Sequence, residues 1–407
     1  MIVERHNIDG TTELVRLCGM SKELYNKCNF LMRQSWFEKQ RLPDINILVD
    51  ATKNLDCFKN LHNTKTAKQT IRKVLSDWSN FRKTLNAHHL APSKFVKKPK
   101  PPYYKKKLAQ VVFYQETIAR KPLKNGIITP TNGCFSIKSG IKDFKQVVVT
   151  PKTFGFIIEV QYESVEKPKG GTVDKNKACC IDIGVNNLCA ITSDQHSPIL
   201  VNGRIVKSFN RWYNMNPCKS RSKKRYFRIE NYFHHVSKMI VENCVKHGIG
   251  TIIIGRNQGW KQEVKMRKIQ KQNFQGIPFF LLLNKINYKA AMEGITVLFT
   301  EEAYTSKASY LDRDPIPAWE KDQKEFEFSG TRVKRGLYRS KNGTLLNADV
   351  NGSANIGRKV IQDEEFLLRL DRSLAARPVA VNPLRKSLRK TAVDGLTLKC
   401  TDFYRSV

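Results

Sequence analysis

The feature that most constrains the fold is a series of short apolar segments between 178 and 300 of this 407-residue chain. The first three read ACCIDIG, NLCAITS and SPILVNGRIVKSF, which is typical of three strands in meander order. A long basic helix is predicted around 221–247, followed by the strand TIIIG, a helix near 278–293, the strand ITVLFT and a last helix from about 349. The sequence therefore predicts an α/β domain in which an antiparallel meander precedes alternating helices and strands.

This order of elements is that of an RNase H-like fold. Nucleases of that kind bring two or more carboxylates to one end of the sheet, where they hold two divalent ions about 3.5–4 Å apart. Asp182 lies inside the apolar run ACCIDIG, and a carboxylate buried there without a partner would be costly. A satisfied structural aspartate is one interpretation, and a metal ligand is the one we favour. Gly184 beside it would let a phosphate backbone approach closely.

Asp349, in LLNADVNGSANIGRK, is a second candidate ligand. It is predicted at a helix start, where the helix dipole by itself favours negative charge. The small residues GSA that follow are what tight packing against a sheet requires, and Asn351 and Asn355, four apart, present amides on one face.

A pair of acidic residues, Glu301 and Glu302, follows the predicted strand ITVLFT in the stretch LFTEEAYTSK. The pair is either solvated surface or part of a metal site. Strand geometry predicts that the two neighbours point in different directions, although a turn would loosen that rule.

The net charge of +36, from 72 basic and 36 acidic residues, predicts a polyanionic partner. Nucleic acid is favoured over an anionic membrane, and a ribosomal-type basic protein remains open at this point. No apolar stretch approaches the roughly 18 residues that span a membrane, and the start MIVERHNIDG lacks the core of a signal peptide. The scattered cysteines are interpreted as buried small hydrophobes in a reducing cytosol.

The first part of the chain has a different pattern. Helical periodicity runs through 14–90, and the basic, proline-containing segment SKFVKKPKPPYYKKK after it predicts an extended connector. That connector is either a solvated loop or a nucleotide-stacking segment in which Tyr103 and Tyr104 lie beside phosphate contacts. Strand-like segments between 110 and 165 then predict a small antiparallel barrel or sheet.

Several ordered motifs resemble TnpB, the transposon-encoded RNA-guided nuclease family related to type V CRISPR effectors and to Fanzor proteins. IDIGVNNLCAIT resembles the first RuvC motif and NADVNGSANIGRKV the last, and the segments IIIGRNQGWKQE, EEAYTSKASYLD and FSGTRVKRGLYRSKNG also match. The match is close from about 177 to 362, while TAKQTIRKVLSDWSNFRK and PPYYKKK resemble the N-terminal half more weakly.

The resemblance implies a wedge β-barrel with an inserted helical recognition bundle over 1–172, with helices about 14–90. A RuvC nuclease domain of RNase H-like fold would span 173–362, and a basic, partly disordered tail would span 363–407. It also implies a bound guide RNA transcribed from the transposon end and a double-stranded DNA target beside a short motif that the protein reads.

Two features of this chain depart from the commonest TnpB pattern. Many members end the strand corresponding to TIIIG with a catalytic glutamate, whereas here Arg256 and Asn257 follow and no carboxylate occurs before Glu263. Many members also carry a four-cysteine zinc ribbon, whereas 305–348 contains no cysteine, so no structural zinc is expected and a short basic hairpin is predicted instead.

The absent glutamate has two interpretations: the site is inactive, or another carboxylate replaces it. A rearranged glutamate on the neighbouring strand occurs in some branches of the family, and its place three positions before the threonine of YTSK selects Glu302 over Glu301. The resemblance thus implies Asp182, Glu302 and Asp349 as catalytic residues that hold two Mg²⁺ ions.

Contacts to nucleic acid are predicted for basic and polar residues in several parts of the chain. Lys307 contacts phosphate or caps a turn, and the helix residues that follow Lys219 line a heteroduplex or face solvent. The predicted nucleic-acid-binding residues are Gln69, Lys73, Tyr104, Lys105, Arg221, Arg225, Arg228, Lys307, Arg332 and Arg335.

These observations lead to the hypothesis of an Mg²⁺-dependent, RNA-guided double-stranded DNA endonuclease, a monomer in a ribonucleoprotein complex, without membrane association, in a prokaryotic cytoplasm. The alternatives are a nuclease-inactive guided DNA-binding repressor and a structure-selective junction nuclease that needs no RNA. The 172 residues upstream of the nuclease domain would be superfluous for the last of these.

Overall fold

The computed structural model describes residues 2–95, 97–163, 173–256, 268–319, 326–374 and 377–384. Among these residues, two compact units are separated by the gap at 164–172, which contains the predicted domain boundary. No helix of the described ranges is long and apolar enough to cross a membrane. The described cysteines carry free thiols, and all except Cys218 are buried.

Helices occupy the first unit where the periodicity predicts them. Thr11 caps the first long helix by accepting the N–H of Leu14 at 3.2 Å, and Asn63 caps the second by accepting the N–H of Thr66 at 2.9 Å. The helices are α1 (Thr12–Phe37), α2 (Ile45–Thr52), α3 (Asp56–Lys59), α4 (Thr64–Leu90) and α5 (Arg120–Lys124), with 3-10 turns at Pro92–Lys94 and Gln115–Thr117.

The strands of the first unit are β1 (Ile2–Ile8), β2 (Val111–Tyr114), β3 (Ile127–Ile128), β4 (Ile137–Lys138), β5 (Gln146–Lys152) and β6 (Gly155–Tyr162). Four of them form an antiparallel sheet in the order β1-β6-β5-β2, and β3 pairs with β4 separately. Of the two forms that the sequence allowed here, the described residues have an open sheet, because the edge strands β1 and β2 are not paired with each other.

The basic connector is fixed to α1 by side-chain amides. Asn26 exchanges two hydrogen bonds with the backbone of Lys105, at 3.0 and 2.7 Å. The carbonyl of Pro102 accepts from Asn29 at 3.1 Å and from Arg33 at 2.9 Å. The connector is extended, as predicted, but it is attached along the helix rather than free in solvent.

The second unit is built on a mixed sheet. Its strands are β7 (Asp174–Asp182), β8 (Asn187–Ser193), β9 (Ile199–Asn202), β10 (Ile249–Gly255), β11 (Thr296–Thr300), β12 (Thr331–Lys334), β13 (Leu337–Arg339), β14 (Leu345–Asn347) and β15 (Val379–Val381). Six of them form one sheet in the order β11-β10-β7-β8-β9-β15. Strands β7, β8 and β9 are an antiparallel meander, while β10 is parallel to β7 and β11 is parallel to β10, which is the order that the sequence predicts.

Helices cover both faces of this sheet. They are α6 (Arg204–Met215), α7 (Lys219–Lys246), α8 (Lys268–Gln275), α9 (Phe279–Met292), α10 (Ala348–Arg358) and α11 (Glu364–Leu374). Successive residues of a strand point to opposite faces. Cys179 and Ile181 accordingly lie in the apolar cluster that contains α7 and α9, whereas Ala178 and Cys180 lie in the cluster that contains α10 and α11.

The segment predicted as a short hairpin is a three-stranded antiparallel sheet, β12-β13-β14. The third strand, Leu345–Asn347, pairs with β13 and leads directly into α10, for which Asn347 is the N-cap. This small sheet therefore lies immediately before the helix that carries Asp349.

The prediction of a tail from 363 onward needs correction. Phe366, Leu370 and Leu374, four residues apart, bury one face of α11 against the α10 side of the sheet. Strand β15 then pairs in parallel with β9. Residues 364–374 and 379–381 thus belong to the second unit, and the predicted disorder of 385–407 lies outside the described residues.

Candidate functional site

Asp182 is the last residue of β7, and strand alternation places it on the face of the sheet that α10 covers. The close neighbour on that helix is Gly352, where a Cβ atom would lie 2.8 Å from Asp182 Oδ2. Only a residue without a side chain leaves room for this carboxylate. The small residue that the sequence places after Asp349 therefore has a specific steric reason.

Asp349 lies in the first turn of α10, after the N-cap Asn347, whose side chain accepts its N–H at 3.0 Å. Asn187 Nδ2, at the start of β8, donates to Asp349 Oδ2 at 2.7 Å. On the other oxygen, Oδ1, Arg332 Nη2 of β12 lies 3.4 Å away. The carboxylate is thus oriented from two sides, and Asn187 is a contact that the sequence patterns did not indicate.

The surroundings of Asp182 favour its protonated form. Burial raises the pKa of the Asp182 carboxyl to about 7, and the negative charge of Asp349 acts in the same direction. The Arg332 guanidinium and the N–H of Ile183 act in the opposite direction. Two nearby carboxylates, one of them buried, are a suitable place for a divalent ion.

Glu302 lies two residues beyond the end of β11, which pairs in parallel with β10 so that Thr300 is opposite Gly255. A Cβ atom at Gly255 would lie 3.0 Å from Glu302 Oε2. The Glu302 carboxylate therefore lies over the last residue of β10, the strand end at which many TnpB members carry their glutamate.

Glu301 is directed elsewhere. Its carboxylate accepts the backbone N–H of Trp319 at 3.2 Å, and Lys359 Nζ lies 3.9 Å from Glu301 Oε2. The side chain of Glu301 is 40% exposed. The carboxylate of Glu301 thus accepts from Trp319, whereas the Glu302 carboxylate lies beside Gly255, and the charge of Lys359 acts on both.

The segment after Glu302 is hydrogen-bonded to α10. Asn351 Nδ2 donates to the carbonyl of Ala308 at 2.8 Å, and Asn351 Oδ1 accepts the N–H of Tyr310 at 3.0 Å. Asn355 Nδ2 donates to the carbonyls of Thr305 at 2.9 Å and Ala308 at 2.8 Å. The two amides predicted to lie on one face of the helix therefore contact one and the same segment.

These residues have the ligand chemistry of a magnesium site, but their side chains are not arranged around a single metal position. Their donors are carboxylate oxygens, which Mg²⁺ prefers. In the described part of the chain, no group of three or more His, Cys, Asp or Glu side chains is arranged to hold a metal ion. Asp182 and Asp349 are brought together, while Glu302 stands at the neighbouring strand end.

The arginines of α7 differ in how far their side chains are hydrogen-bonded inside the protein. Arg225 Nε donates to Asn210 Oδ1 at 2.6 Å and its Nη2 donates to the carbonyl of Gly276 at 2.8 Å. Burial lowers its pKa, and it ties α7 to α6 and to the end of α8. Arg225 therefore uses two of its donors inside the protein, and its contact to nucleic acid stays a prediction.

Arg221 and Arg228 both lie over the ring of Trp212 of α6, with guanidinium-to-ring distances of 5.1 and 4.8 Å. Arg221 also donates to the Trp212 carbonyl at 3.2 Å, whereas Arg228 is exposed. This pair presents a stacked cationic and aromatic surface of the kind that accepts phosphates and bases.

The predicted nucleic-acid-binding residues of the first unit also make contacts within the protein. Lys105 Nζ lies 3.9 Å from the centre of the Tyr25 ring, and burial lowers its pKa. Gln69 donates to the Tyr114 hydroxyl, and Lys73 pairs with Asp77. Tyr104 is 45% exposed, with the guanidinium of Arg33 5.6 Å from its ring centre.

Arg332 is 46% exposed beside Asp349, and Lys307 and Arg335 are also exposed. The sequence analysis did not single out Lys207 of α6, whose Nζ donates to Asn186 Oδ1 at 2.9 Å. Its pKa is lowered by burial, with the Arg335 charge contributing. Cations of α6 and of the small sheet thus lie near one another.

Comparison with known protein families adds one direct match. Residues 279–356, from α9 through most of α10, match the family model described as Cas12f1-like, TNB domain. The matched stretch includes Glu302, Arg332 and Asp349. It confirms the resemblance to TnpB and Cas12f-like RNA-guided nucleases, while the particular branch stays a prediction.

Two solved structures illustrate the wider likeness. A chain of the cryo-EM structure of the Cas12f1-sgRNA-target DNA complex has 12% identity and a TM-score of 0.34, over 89% of this chain and 100% of that chain. A chain of the cryo-EM structure of the CRISPR-Cas12f ternary complex has 14% identity and a TM-score of 0.33, over 85% and 81%. The curated proteins contain no match to this chain.

Proposed function

We propose that this protein is an RNA-guided DNA endonuclease whose RuvC-type site uses Asp182, Glu302 and Asp349. One observation carries the proposal: α10 brings Asp349 to Asp182, and Glu302 occupies the neighbouring strand end beside Gly255. The strand order of the second unit, a meander followed by two parallel strands, supports an RNase H-like RuvC domain.

The side chains have separate tasks in this proposal. Asp182 and Asp349 would hold two Mg²⁺ ions together with Glu302, and Gly352 leaves the space that the Asp182 carboxylate needs. Asn187 orients Asp349 through its 2.7 Å hydrogen bond. When bound, such an ion pair activates water and stabilises the leaving oxygen of a phosphodiester.

The partners we propose are a guide RNA and a double-stranded DNA target. The charge of +36 supports them, since a polyanion offsets the self-repulsion of the chain. Base pairing would read the target sequence, and the protein would read a short adjacent motif. We assign this reading to the first unit as a wedge and recognition module, with Gln69, Lys73 and Tyr104 near the adjacent duplex.

The remaining parts of the proposal are a monomeric ribonucleoprotein in a prokaryotic cytoplasm and no structural zinc. The absence of cysteine from 305–348 supports the last point. In the described part of this segment, carboxylate hydrogen bonds connect the loops: Asp314 accepts from the N–H of Ser309 at 2.8 Å and from Ser329 Oγ at 2.6 Å.

Plasmid cleavage tests the proposal directly. The protein is expressed with its flanking DNA so that its RNA co-purifies, the RNA is sequenced, and a matching plasmid library is incubated with Mg²⁺. Cutting that is lost in Asp182→Ala and in Glu302→Ala is expected. Retained cutting in Asp182→Ala would refute the site, target binding without cutting by the wild type would favour the guided repressor, and a complex without RNA would favour the junction nuclease.

A further inference from the structure

We propose that Asn351, Asn355 and Thr305 are positioning residues for Glu302, so that α10 sets the place of all three carboxylates. The inference rests on the proposed function. It concerns residues that do not themselves reach a metal ion or the DNA.

First, α10 is hydrogen-bonded to the segment that follows Glu302. Asn351 and Asn355 are fully buried, and together they make four hydrogen bonds of 2.8–3.0 Å to backbone groups of Thr305, Ala308 and Tyr310. Leaving a buried amide without such partners is costly in free energy. These hydrogen bonds therefore fix the position of the segment along the axis of α10. An apolar contact would not fix that position, because it has no directional requirement.

The second step leads from this segment to Glu302. Thr305, which is buried, donates its Oγ1 hydrogen to the carbonyl of Glu302 at 2.8 Å, and its backbone N–H points to the same carbonyl at 3.3 Å. The Thr305 carbonyl is the group that Asn355 holds at 2.9 Å. A continuous path of hydrogen bonds therefore joins α10 to the backbone of Glu302 through one residue.

The third step is that the same helix defines the other two carboxylates. Asp349 is part of α10, and Gly352 forms the wall against which the Asp182 carboxylate rests. Asn351 and Asn355 lie one residue before and three residues after Gly352. A shift of Glu302 relative to the aspartate pair is thus resisted by the helix that carries one aspartate and contacts the other.

The hydrogen bonds from α10 matter because the strand before Glu302 gives it little support. Glu302 follows β11, which is an edge strand of the sheet, and most residues of β11 are exposed. Sites of this kind lose activity steeply when a ligand is misplaced by about 1 Å. The amides of α10 supply the support that the edge strand lacks.

The test uses two variants of Thr305, one without the side-chain hydroxyl and one that keeps it. Thr305→Val keeps the shape and removes the bond to the Glu302 carbonyl, while Thr305→Ser keeps the hydroxyl. Thr52→Val is the matched control, since Thr52 is also buried and donates its hydroxyl to a backbone carbonyl, that of Leu48 at 2.6 Å in the first unit. All variants are purified as full-length complexes with the same RNA.

Two quantities are measured. The first is the Mg²⁺ concentration for half-maximal plasmid cleavage, separated from the maximal rate. The second does not depend on activity: Mn²⁺ binding by electron paramagnetic resonance, after subtraction of an Asp182→Asn, Asp349→Asn complex that carries the same RNA. Thr305→Val should weaken Mn²⁺ binding and raise the Mg²⁺ requirement roughly three- to tenfold, which corresponds to one hydrogen bond. Thr305→Ser and Thr52→Val should match the wild type.

A double-mutant cycle separates positioning from general stability. If Thr305 acts through Glu302, Thr305→Val should cause no further loss of Mn²⁺ affinity in a Glu302→Gln background. Additive losses in that background, or a wild-type Mn²⁺ affinity in Thr305→Val, would overturn the inference. Asn355→Ala is the second variant, with the same expectation, for use if Thr305→Val does not fold as judged by its melting temperature.

Failure of the inference and failure of the proposed function give different results. If the wild-type complex binds no Mn²⁺ beyond the double aspartate variant, the proposed metal site itself is wrong. If the wild type binds Mn²⁺ and cuts DNA, but Thr305→Val and Asn355→Ala do the same with equal affinity, only the positioning role is wrong.

Discussion

The two faces of the six-stranded sheet are covered by helices of contrasting chemistry. On one face, α7 buries large apolar side chains such as Phe233, Val236 and Ile240. On the other, α10 buries Gly352, Ser353 and the two asparagines, and only a few aliphatic groups accompany them. The α7 face gains free energy from apolar burial, which is not directional. The α10 face uses close approach and hydrogen bonds, which fix positions.

This contrast coincides with the distribution of carboxylates. Asp182 points to the α10 face, and Asp349 belongs to α10 itself. Variants on the two faces should therefore separate: those on the α10 face should lower cleavage in a folded protein, and those on the α7 face should lower stability while cleavage per folded molecule persists.

The largest effect is expected for Asp349→Asn. Loss of a charged ligand should reduce cleavage by at least roughly a hundredfold, the upper end of what weaker, indirect contacts to metal ligands cost. Target DNA binding by the complex should persist. Cleavage time courses and gel-shift titrations of the same preparation measure both, and a parallel loss of binding would contradict a role confined to the site.

The next effect is expected for Gly352→Ala. The added methyl would meet Asp182 Oδ2 at 2.8 Å, so the carboxylate has to move, and cleavage should fall roughly 10- to 100-fold. Gly19→Ala in α1 is the matched control, because its added methyl has its nearest neighbour, Leu108 Cδ2, at 4.0 Å. Equal cleavage by both variants would show that the close approach at Gly352 is irrelevant to the site.

On the α7 face, Ile240→Ala should destabilise the protein by about 2–4 kcal/mol, because it leaves a cavity beside the sheet. Chemical denaturation measures this change, and cleavage should be normalised to the folded fraction. The normalised rate should equal that of the wild type. A reduced normalised rate would remove the distinction between the two faces.

The smallest effect concerns pH. The folded pKa of Asp182, about 7, lies above its ordinary value of 3.8, so the folded state holds this proton more tightly than the unfolded state. The contribution of Asp182 to stability is therefore complete below pH 4 and is lost as pH rises through 7. In chelator, Asp182→Asn should melt roughly 2–4 °C above the wild type at pH 8, as about 1 kcal/mol would give, with no difference near pH 4. A lower melting temperature for the variant at pH 8 would contradict the assigned direction.

Much of the second unit could be predicted because its signals are local. Apolar runs gave the strands of the meander and the two parallel strands, and Asp182 was conspicuous as a charge within one of them. The spacing of Asn351 and Asn355 also indicated one helix face, although not what it contacts.

The rest depends on contacts between distant residues. Arg225 resembles its basic neighbours in sequence, and only the folded chain brings Asn210 and the Gly276 carbonyl to two of its donors. Helix α11 and strand β15 were not predicted because the apolar spacing of α11 covers only three turns and β15 has only three residues. The two glutamates could not be separated by local pattern alone, since Trp319 and Lys359, which hold Glu301, are 18 and 58 residues further along the chain.

The most direct test of the account compares Glu301→Gln with Glu302→Gln in the Mg²⁺-dependent plasmid cleavage assay, with identical RNA and equal target binding. The structure predicts that Glu302→Gln loses cleavage by at least roughly a hundredfold. Glu301→Gln loses the charge that faces Lys359 but keeps an acceptor for the Trp319 N–H, and it should stay within about threefold of the wild type. Cleavage retained by Glu302→Gln, or lost in Glu301→Gln alone, would contradict the assignment of the third carboxylate.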